Sequence, residues 1–505
     1  MGYLVSHKRS KLFNEFSEEL QEKYFNLKQK KYIHHVDTFY YSIFIKGDYK
    51  DDKKEVSRSS VSLRVDELIN FLKIAKEDLS EYDGSRWFDY EKSLLLTKKN
   101  FSIYNNCISK EGFYDIFISN YLPNNSTPRI VVQLRSIGLW SIGEYELIKE
   151  SYLVVKELLD EYGLEVQKTQ ENRIDFCYHT NCLQNPEKFY DDDCLKNNCF
   201  TNLRIFQKVG KKNGKELEID YLSFGRRQSN NIFFRSYNKV REVIEENYKE
   251  FFLELWYNDK MINYYDFYVY TYAYKKHSFS QVYVGMMEFY LEFGSDPDIK
   301  RYLNNLKSRK YTIEELKQYI IKVCPIPTLV INIEFQTMRK FYYSFRSALD
   351  NLPIIHECEE KQLLRLYQLL DCRKEFLNYL TDTTISFRKA NMEYLDFWQR
   401  LRNVKFDKIY NGTLSRDYSS KVNRDIIVSK IKNLMATLSL YDNNFDTDIN
   451  EDMSNLICVL NDNDFKINAD GTCSIIDNEY IEKKEKIKKA LKSKLQPSRP
   501  SQINC

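Results

Sequence analysis

Arg173-Ile174-Asp175-Phe176-Cys177-Tyr178-His179 alternates polar and apolar side chains with period two. It therefore reads as a strand with Arg173, Asp175 and His179 on one face and Ile174, Phe176 and Tyr178 on the other. The same alternation recurs elsewhere. In Asn231-Ile232-Phe233-Phe234-Arg235-Ser236-Tyr237-Asn238-Lys239, the residues Arg235, Tyr237 and Lys239 share a face. Asn332, Glu334 and Gln336 lie opposite Ile331, Ile333 and Phe335, and in a strand over 34–45 Asp37 lies opposite Val36 and Thr38.

Outward from these, β-rich runs separated by Gly, Pro and Asn at 101–107, 114–119 and 129–140 have the pattern of an antiparallel meander. Helical spacing appears at 65–79 and at 144–162, the second ending at Gly163 as a left-handed C′ residue. The expected fold class is α+β, an antiparallel sheet with helices on one face, carrying a helical insertion and a helical C-terminal region. The divisions are a leader over 1–30, the core over 31–239 and 324–402, an insertion over 240–323, an extension over 403–478 and a charged tail over 479–505. No repeat of 20–50 residues is present.

The 505 residues allow two to four folding units at about 150 each. With 43% hydrophobic and 30% charged residues, 14 Gly and 9 Pro, collagen, low-complexity and wholly disordered classes are excluded. Lys and Arg number 76 against 73 Asp and Glu, so any nucleic-acid affinity resides in local patches. Eleven Cys, an odd number, and the absence of an apolar h-region over 1–13 point to a reducing cytoplasm. No run approaches the ~18 apolar residues of a membrane span. Gly2 to Ser6 fits a loose myristoylation pattern, against which stands the bulky Tyr3.

Motifs of the P-loop, Rossmann, zincin and α/β-hydrolase classes are missing. Nor do the six His form the His-hydrophobic-His pair of HUH endonucleases. What remains is the strand face. Singly, each acid on it reads as a solvated residue or the partner of a neighbouring Arg. If the strands are neighbours, Tyr237 stands between two cations and up to three carboxylates, which is equipment for metal-assisted transesterification of a phosphodiester. A phenol with a pKa near ~10 is a poor nucleophile unless cations favour the phenolate. Arg235 and Lys239 supply the cations, and Mg²⁺ or Mn²⁺ on hard oxygen ligands would polarise the phosphate.

Phe224-Gly225-Arg226-Arg227-Gln228-Ser229 followed by Phe234-Arg235-Ser236-Tyr237-Asn238-Lys239-Val240-Arg241-Glu242 resembles the FG-x-R-x-S and R-x-YNK-x-x-E block of the Rep_trans replication initiation factor family. That family comprises rolling-circle plasmid initiators and related conjugative-element relaxases. The resemblance extends over about 170–402, through Arg173-Ile174-Asp175-Phe176, Asn332-Ile333-Glu334-Phe335 with Arg339, and Tyr394-Leu395-Asp396-Phe397-Trp398-Gln399-Arg400; Asp37 to Phe44 matches more weakly. It implies that Tyr237 attacks one DNA strand and becomes linked to the 5′-phosphate, leaving a 3′-OH. Arg235, Lys239 and Glu242 complete the catalytic group, and Asp175, Glu334 and Asp37 are the candidate ligands of Mg²⁺ or Mn²⁺. Arg173, Arg226, Arg227, Lys211, Lys212 and Arg339 are the candidate DNA contacts. The implied partners are an origin of replication or transfer, a second copy of the chain, and the host helicase and replication machinery. The insertion over 240–323 and the hundred residues beyond the last match depart from the family pattern.

Three other groupings have plainer readings beside the functional one. Cys177, Cys182, Cys194 and Cys199 are spaced for a zinc loop or are simply reduced thiols. The basic segment at 208–215 holds DNA backbone or is a hairpin turn, and the aromatic stripe at 264–274 packs the insertion rather than stacking bases. A non-catalytic DNA-binding protein of the same fold is the alternative to the nicking enzyme. Replacing the insertion by a short linker is expected to weaken recognition or dimerisation while sparing the nicking of a single-stranded oligonucleotide.

Overall fold

In a computed structural model of the chain, the described residues are 10–26, 30–48, 60–77, 79, 84–121, 127–184, 189, 191–203, 206–213, 216–227, 231–247, 249–294, 297–353, 355–407, 409–410, 414, 431–437, 448, 451, 465–467, 473–475 and 501–502. The chain divides into two compact units, Met1–Leu414 with Pro500–Cys505, and Ser415–Arg499. The described part of the second unit holds a helix at 431–437 and an antiparallel pair, Phe465–Ile467 with Cys473–Ile475.

The first unit is built on an eleven-stranded sheet. Its strands, with two others, are in chain order β1 Tyr32–Ile45, β2 Ser85–Asp89, β3 Leu94–Thr97, β4 Tyr104–Lys110, β5 Tyr114–Ser119, β6 Ile130–Arg135, β7 Val166–Thr180, β8 Cys199–Thr201, β9 Phe206–Asn213, β10 Glu216–Phe224, β11 Ile232–Asn238, β12 Ile331–Met338 and β13 Ile385–Phe387. Strands β8 and β13 form a small separate sheet with Ser501–Gln502. The order across the large sheet is β2-β3-β4-β5-β6-β1-β7-β12-β11-β10-β9, and each neighbouring pair is antiparallel. The long strands β1 and β7 are thus central, and β12 and β11 follow β7 directly. The α+β class read from the sequence is the class observed.

One face of the sheet is apolar. Phe39, Ile174, Phe176, Phe234, Ile333 and Phe335 are buried there against Leu68 and Leu72 of the helix Ser60–Glu77, Leu147 and Val155 of Glu144–Glu161, and Trp398 of Asp396–Arg402. Trp398 packs on the rings of Phe234 and Phe335 and donates Nε1–H to the Thr381 carbonyl at 2.9 Å. The segment over 394–400 that resembles the family therefore supports β11 and β12 from behind. Each large side chain so buried contributes about 1.5–3 kcal/mol of transfer free energy. The helix Glu144–Glu161 ends as its sequence predicts. Gly163 has φ +63°, its N–H bonds to the Asp160 carbonyl and that of Leu164 to Leu159, closing a Schellman cap.

Between β11 and β12 the chain runs through the helices Phe251–Asn258, Tyr264–Tyr274, Gln281–Phe293, Pro297–Lys307 and Ile313–Val323. They form a second core with the helices Lys11–Glu15 and Glu18–Phe25, in which Leu12, Phe25, Trp256, Met287 and Phe289 are buried. Side-chain caps set their starts: Asn263 with Asp266 and Thr312 with Glu315 both close capping boxes. Of the aromatic stripe, Tyr265 and Tyr270 are wholly buried and donate to the carbonyls of Pro325 and Thr328 at 2.7 and 2.6 Å. These rings pack the insertion, as the plainer reading has it.

Candidate active-site cleft

The polar face opposite the apolar core is assembled by register. Across β11 and β12, Arg235 pairs with Glu334 and Tyr237 with Asn332; across β12 and β7, Asn332 pairs with His179, Glu334 with Cys177 and Gln336 with Asp175. Between β7 and β1 the ladder slips. Val36 faces Phe176, yet Thr38 faces Asp175, so Asp37 is an extra residue in a bulge. A bulge re-aims a side chain that strict alternation would send elsewhere. Asp37 and Thr38 accordingly both line the cleft.

The cleft has a volume of about 830 Å³, and its lining includes Asp37, Asp175, Arg173, Arg227, Arg235, Tyr237, Glu242 and Lys249. Tyr237 is 9% exposed. Its Oη accepts a hydrogen bond from Asn332 Nδ2 at 2.8 Å, lies 3.5 Å from Lys239 Nζ, and donates to Glu334 Oε2 at 3.4 Å. Arg235 grips Glu334 with two bonds of 2.7 Å, and its guanidinium lies 4.9 Å from the centre of the Tyr237 ring. Lys239, wholly buried, is 2.7 Å from Glu242 and lies over the Tyr237 and Phe252 rings. Asn238 ends the strand by capping the next turn, its Oδ1 accepting from Arg241 N at 3.2 Å.

Burial pushes the Tyr237 phenol well above its ordinary range, Glu242 and Glu334 add to this, and Arg235 opposes it. Burial also pushes Asp175 up to about 6, although Arg173 holds it in a two-bonded fork. At Asp37 burial works upward too, but Lys239 and Lys249 outweigh it and hold the carboxyl well below the carboxylate range. Lys239 is raised by Glu242 and Asp37 against the pull of burial.

Of the three acids read as metal ligands, Asp175 and Glu334 are each clasped by an arginine, whereas Asp37 Oδ1 is shielded from solvent without a hydrogen-bond partner. Asn332 Oδ1 and Gln336 Oε1 are likewise buried without one. Such oxygens fit a hard divalent ion. Potential ligand atoms of His35, Asp37 and Cys177 also lie within 4.8 Å of one another. His35 is nevertheless constrained. Trp256 Nε1–H donates to His179 Nδ1 at 3.2 Å, so a neutral His179 carries its proton on Nε2, 3.3 Å from His35 Nε2. That assignment leaves the His35 proton on Nδ1, where it offers a donor rather than a lone pair.

Thus the structure gathers Tyr237, Arg235, Lys239, Glu242, Asp175, Glu334, Asp37, Arg173 and Arg227. Arg226 is exposed and Arg339 sits over the Tyr343 ring; neither lines the cleft. Lys211 and Lys212 lie on β9, with their side chains outside the described residues, as are residues 228–230. Among the described residues the four cysteines of the proposed loop do not converge: Cys177 faces the cleft acids, Cys194 lies on the helix Asp192–Asn198 and Cys199 on β8. Sequence reading missed the Asp37 bulge, the Asn332 hydrogen bond, and the wall formed by Trp140, Phe252 and Trp256 around His35 and His179. Only the second left a signal, since Asn332 shares a face with Glu334.

No protein-family model and no curated protein matches the chain. Among solved structures it is similar to the rolling circle replication initiator protein from Geobacillus stearothermophilus, at 14% identity and a TM-score of 0.32, with 76% of this chain and 100% of that chain covered. A superposition that loose does not establish a shared fold.

Proposed function

We propose that the protein is a site-specific, single-strand DNA endonuclease and strand transferase that initiates rolling-circle replication or conjugative transfer. The observation that carries this reading is the Tyr237 hydroxyl in a cleft between Arg235 and Lys239, with the partnerless oxygen of Asp37 on the same face. The motif resemblance around Tyr237 points the same way. Tyr237 Oη loses its proton toward Glu334 Oε2 and bonds to the phosphorus of a phosphodiester. The P–O3′ bond breaks, its electron pair leaves on O3′, and that oxygen takes a proton to become a 3′-OH. The 5′-phosphate stays on the protein as a phosphotyrosyl ester, and attack by a 3′-OH reverses the step. Arg235 and Lys239 place positive charge beside the developing phenolate, and Arg173 and Arg227 line the path of the strand. Asp37 is the residue best placed to hold Mg²⁺ or Mn²⁺, with Asp175 and Glu334 beside it; when bound, such an ion supplies Lewis-acid polarisation of the phosphate.

In this reading 31–239 and 324–402 form the nicking core, 240–323 an insertion, 403–478 an extension and 479–505 a tail. The partners are origin DNA, a second copy of the chain and the host helicase and replication machinery, in the cytoplasm. Among the described residues no helix is long and apolar enough to cross a membrane. A non-catalytic DNA-binding role is the competing reading, favoured by one observation, the burial that holds the Tyr237 phenol protonated. The test is a covalent protein–DNA adduct on a denaturing gel with single-stranded DNA and Mn²⁺. Tyr237→Phe is expected to abolish the adduct while leaving DNA affinity within a few-fold, and an adduct persisting in that variant ends the assignment.

A further inference from the structure

We propose that Phe101 is a base-stacking platform for single-stranded DNA on the sheet face that holds Tyr237; the inference rests on the nicking reading for its ligand. That face is not polar throughout. Across β4, β5, β6 and β1 it carries a small apolar cluster of its own, in which Tyr104, Cys107, Phe117 and Val131 are buried and Tyr40 is half-buried. Phe101 caps the cluster and is 43% exposed. Its ring lies 5.5 Å from that of Phe117, 6.1 Å from Tyr104 and 6.2 Å from Tyr40. The turn that presents it is fixed. Phe101 and Tyr104 exchange backbone bonds of 3.1 and 2.9 Å, and Ser102 between them takes φ +53°. Lys76 of the helix Ser60–Glu77 donates to Asn100 Oδ1 at 2.9 Å and to the Asn105 carbonyl, and Tyr104 Oη donates to the Pro128 carbonyl at 2.9 Å. A ring held in this way loses little freedom when a base stacks on its exposed part.

Charge and continuity both identify the strand as the occupant. Asp115 is fully buried between Arg135, which bonds to it at 2.8 Å, and Lys99 at 3.1 Å, so two cations share one anion. Their side chains remain 40% and 46% exposed. Surplus positive charge beside an aromatic ring holds a phosphate backbone and its bases at once. The cluster also runs into the cleft. The Arg173 guanidinium lies 5.5 Å from the centre of the Tyr40 ring, and Arg173, Arg135 and Gln133, the last paired with Tyr40 across β1 and β6, all line the cleft. From Tyr237 the ladder crosses Asn332 and His179 to Ile33, and Tyr40 lies further along β1, opposite Arg173. That separation is roughly 25 Å at ~4.8 Å per strand and ~3.3 Å per residue. It corresponds to about seven nucleotides of stacked strand at ~3.4 Å each. Phe101 therefore meets bases well away from the phosphate at Tyr237.

The test measures binding of the full chain, by fluorescence anisotropy in EDTA, to a thymidine strand of about 20 nucleotides and to an abasic strand of the same length, which keeps the phosphates and removes the bases. The parent protein is expected to prefer the thymidine strand about tenfold, the effect of stacking one base. Phe101→Ala is expected to lose that preference while binding the abasic strand within about twofold of the parent. Phe101→Leu keeps an apolar contact with Phe117 and is expected to lose the preference as well, whereas Phe101→Trp keeps it. A parent without the preference overturns the inference, as does a preference unchanged in the alanine and leucine variants. A leucine variant that binds like the parent while the alanine variant does not also overturns it, since the ring then serves packing alone. The nicking reading fails separately: a parent that prefers the thymidine strand through Phe101, yet forms no adduct with a randomised single-stranded DNA pool and Mn²⁺, keeps the stacking site and loses the nicking activity.

Discussion

Asp37 and Asp175 lie on neighbouring strands of one face, and their carboxyls are driven apart. Asp37 is surrounded by Lys239, Lys249 and Arg235 and stays ionised, whereas burial lifts Asp175 to about 6 despite Arg173. A raised carboxyl makes a signed contribution to stability. Between its ordinary value of 3.8 and about 6, the folded state keeps a proton that the unfolded chain releases, so this contribution is full below that window and is lost as the pH rises through it. Asp175→Asn is expected to remove the effect. A plot of Tm against pH for that variant should run less steeply downward, or more steeply upward, from pH 4 to 6 than for the parent protein, whatever the cost of leaving Arg173 without its fork. Equal slopes would mean that Asp175 ionises normally.

At the scale of elements, the polar face was legible wherever a strand alternates without interruption. Arg235 and Tyr237, Glu334 and Asn332, and Asp175 were placed on common faces by period two alone, and antiparallel register brings those faces together. Alternation also puts Asp37 opposite Val36 and so on the polar face, but the bulge after Val36, which brings Thr38 to that face as well, is set by pairing with β7 rather than by the residues of β1 and was not legible in them. The guanidinium forks on Asp175 and Glu334 were equally hidden, since spacing reveals a shared face but not which charge meets which. The bulge makes its own prediction. Deleting Asp37 leaves the pairs Val36–Phe176 and Thr38–Asp175 contiguous, so folding is expected to survive with a Tm change of only a few degrees. Lys239 then keeps Glu242 but loses its other anion. Adduct formation is expected to fall at least tenfold, as in Asp37→Ala, which removes the carboxylate and keeps the bulge. A deletion variant that unfolds would show the bulge to be built into the sheet.

Over the whole first unit, the insertion is where the sequence reading and the structure diverge most. From the sequence, the segment that begins after β11 is expected to be removable without harm to the proposed nicking of a single strand. Its residues instead form part of the site: Phe252 lies 5.2 Å from Lys239 Nζ, Lys249 lines the cleft and donates to Ser136 at 2.6 Å, and Trp256 fixes the proton of His179. The same core buries Val240, Val243 and Val330 at the two junctions and the helices Lys11–Glu15 and Glu18–Phe25. A Gly/Ser linker across 240–323 would expose that apolar surface, so low solubility and no adduct are the expected outcome. Substitution at Trp256 separates packing from proton placement. Trp256→Ala empties a fully buried site and is expected to cost about 3–5 kcal/mol in urea unfolding. Trp256→Phe keeps most of the ring and removes only the N–H, at about 1–3 kcal/mol for the unsatisfied His179 nitrogen. With that donor gone, His179 and His35 are free to exchange tautomers, and nitrogen-15 histidine NMR should show Nδ1 protonation at His179. A tautomer unchanged in Trp256→Phe would mean that the insertion serves the site by packing alone.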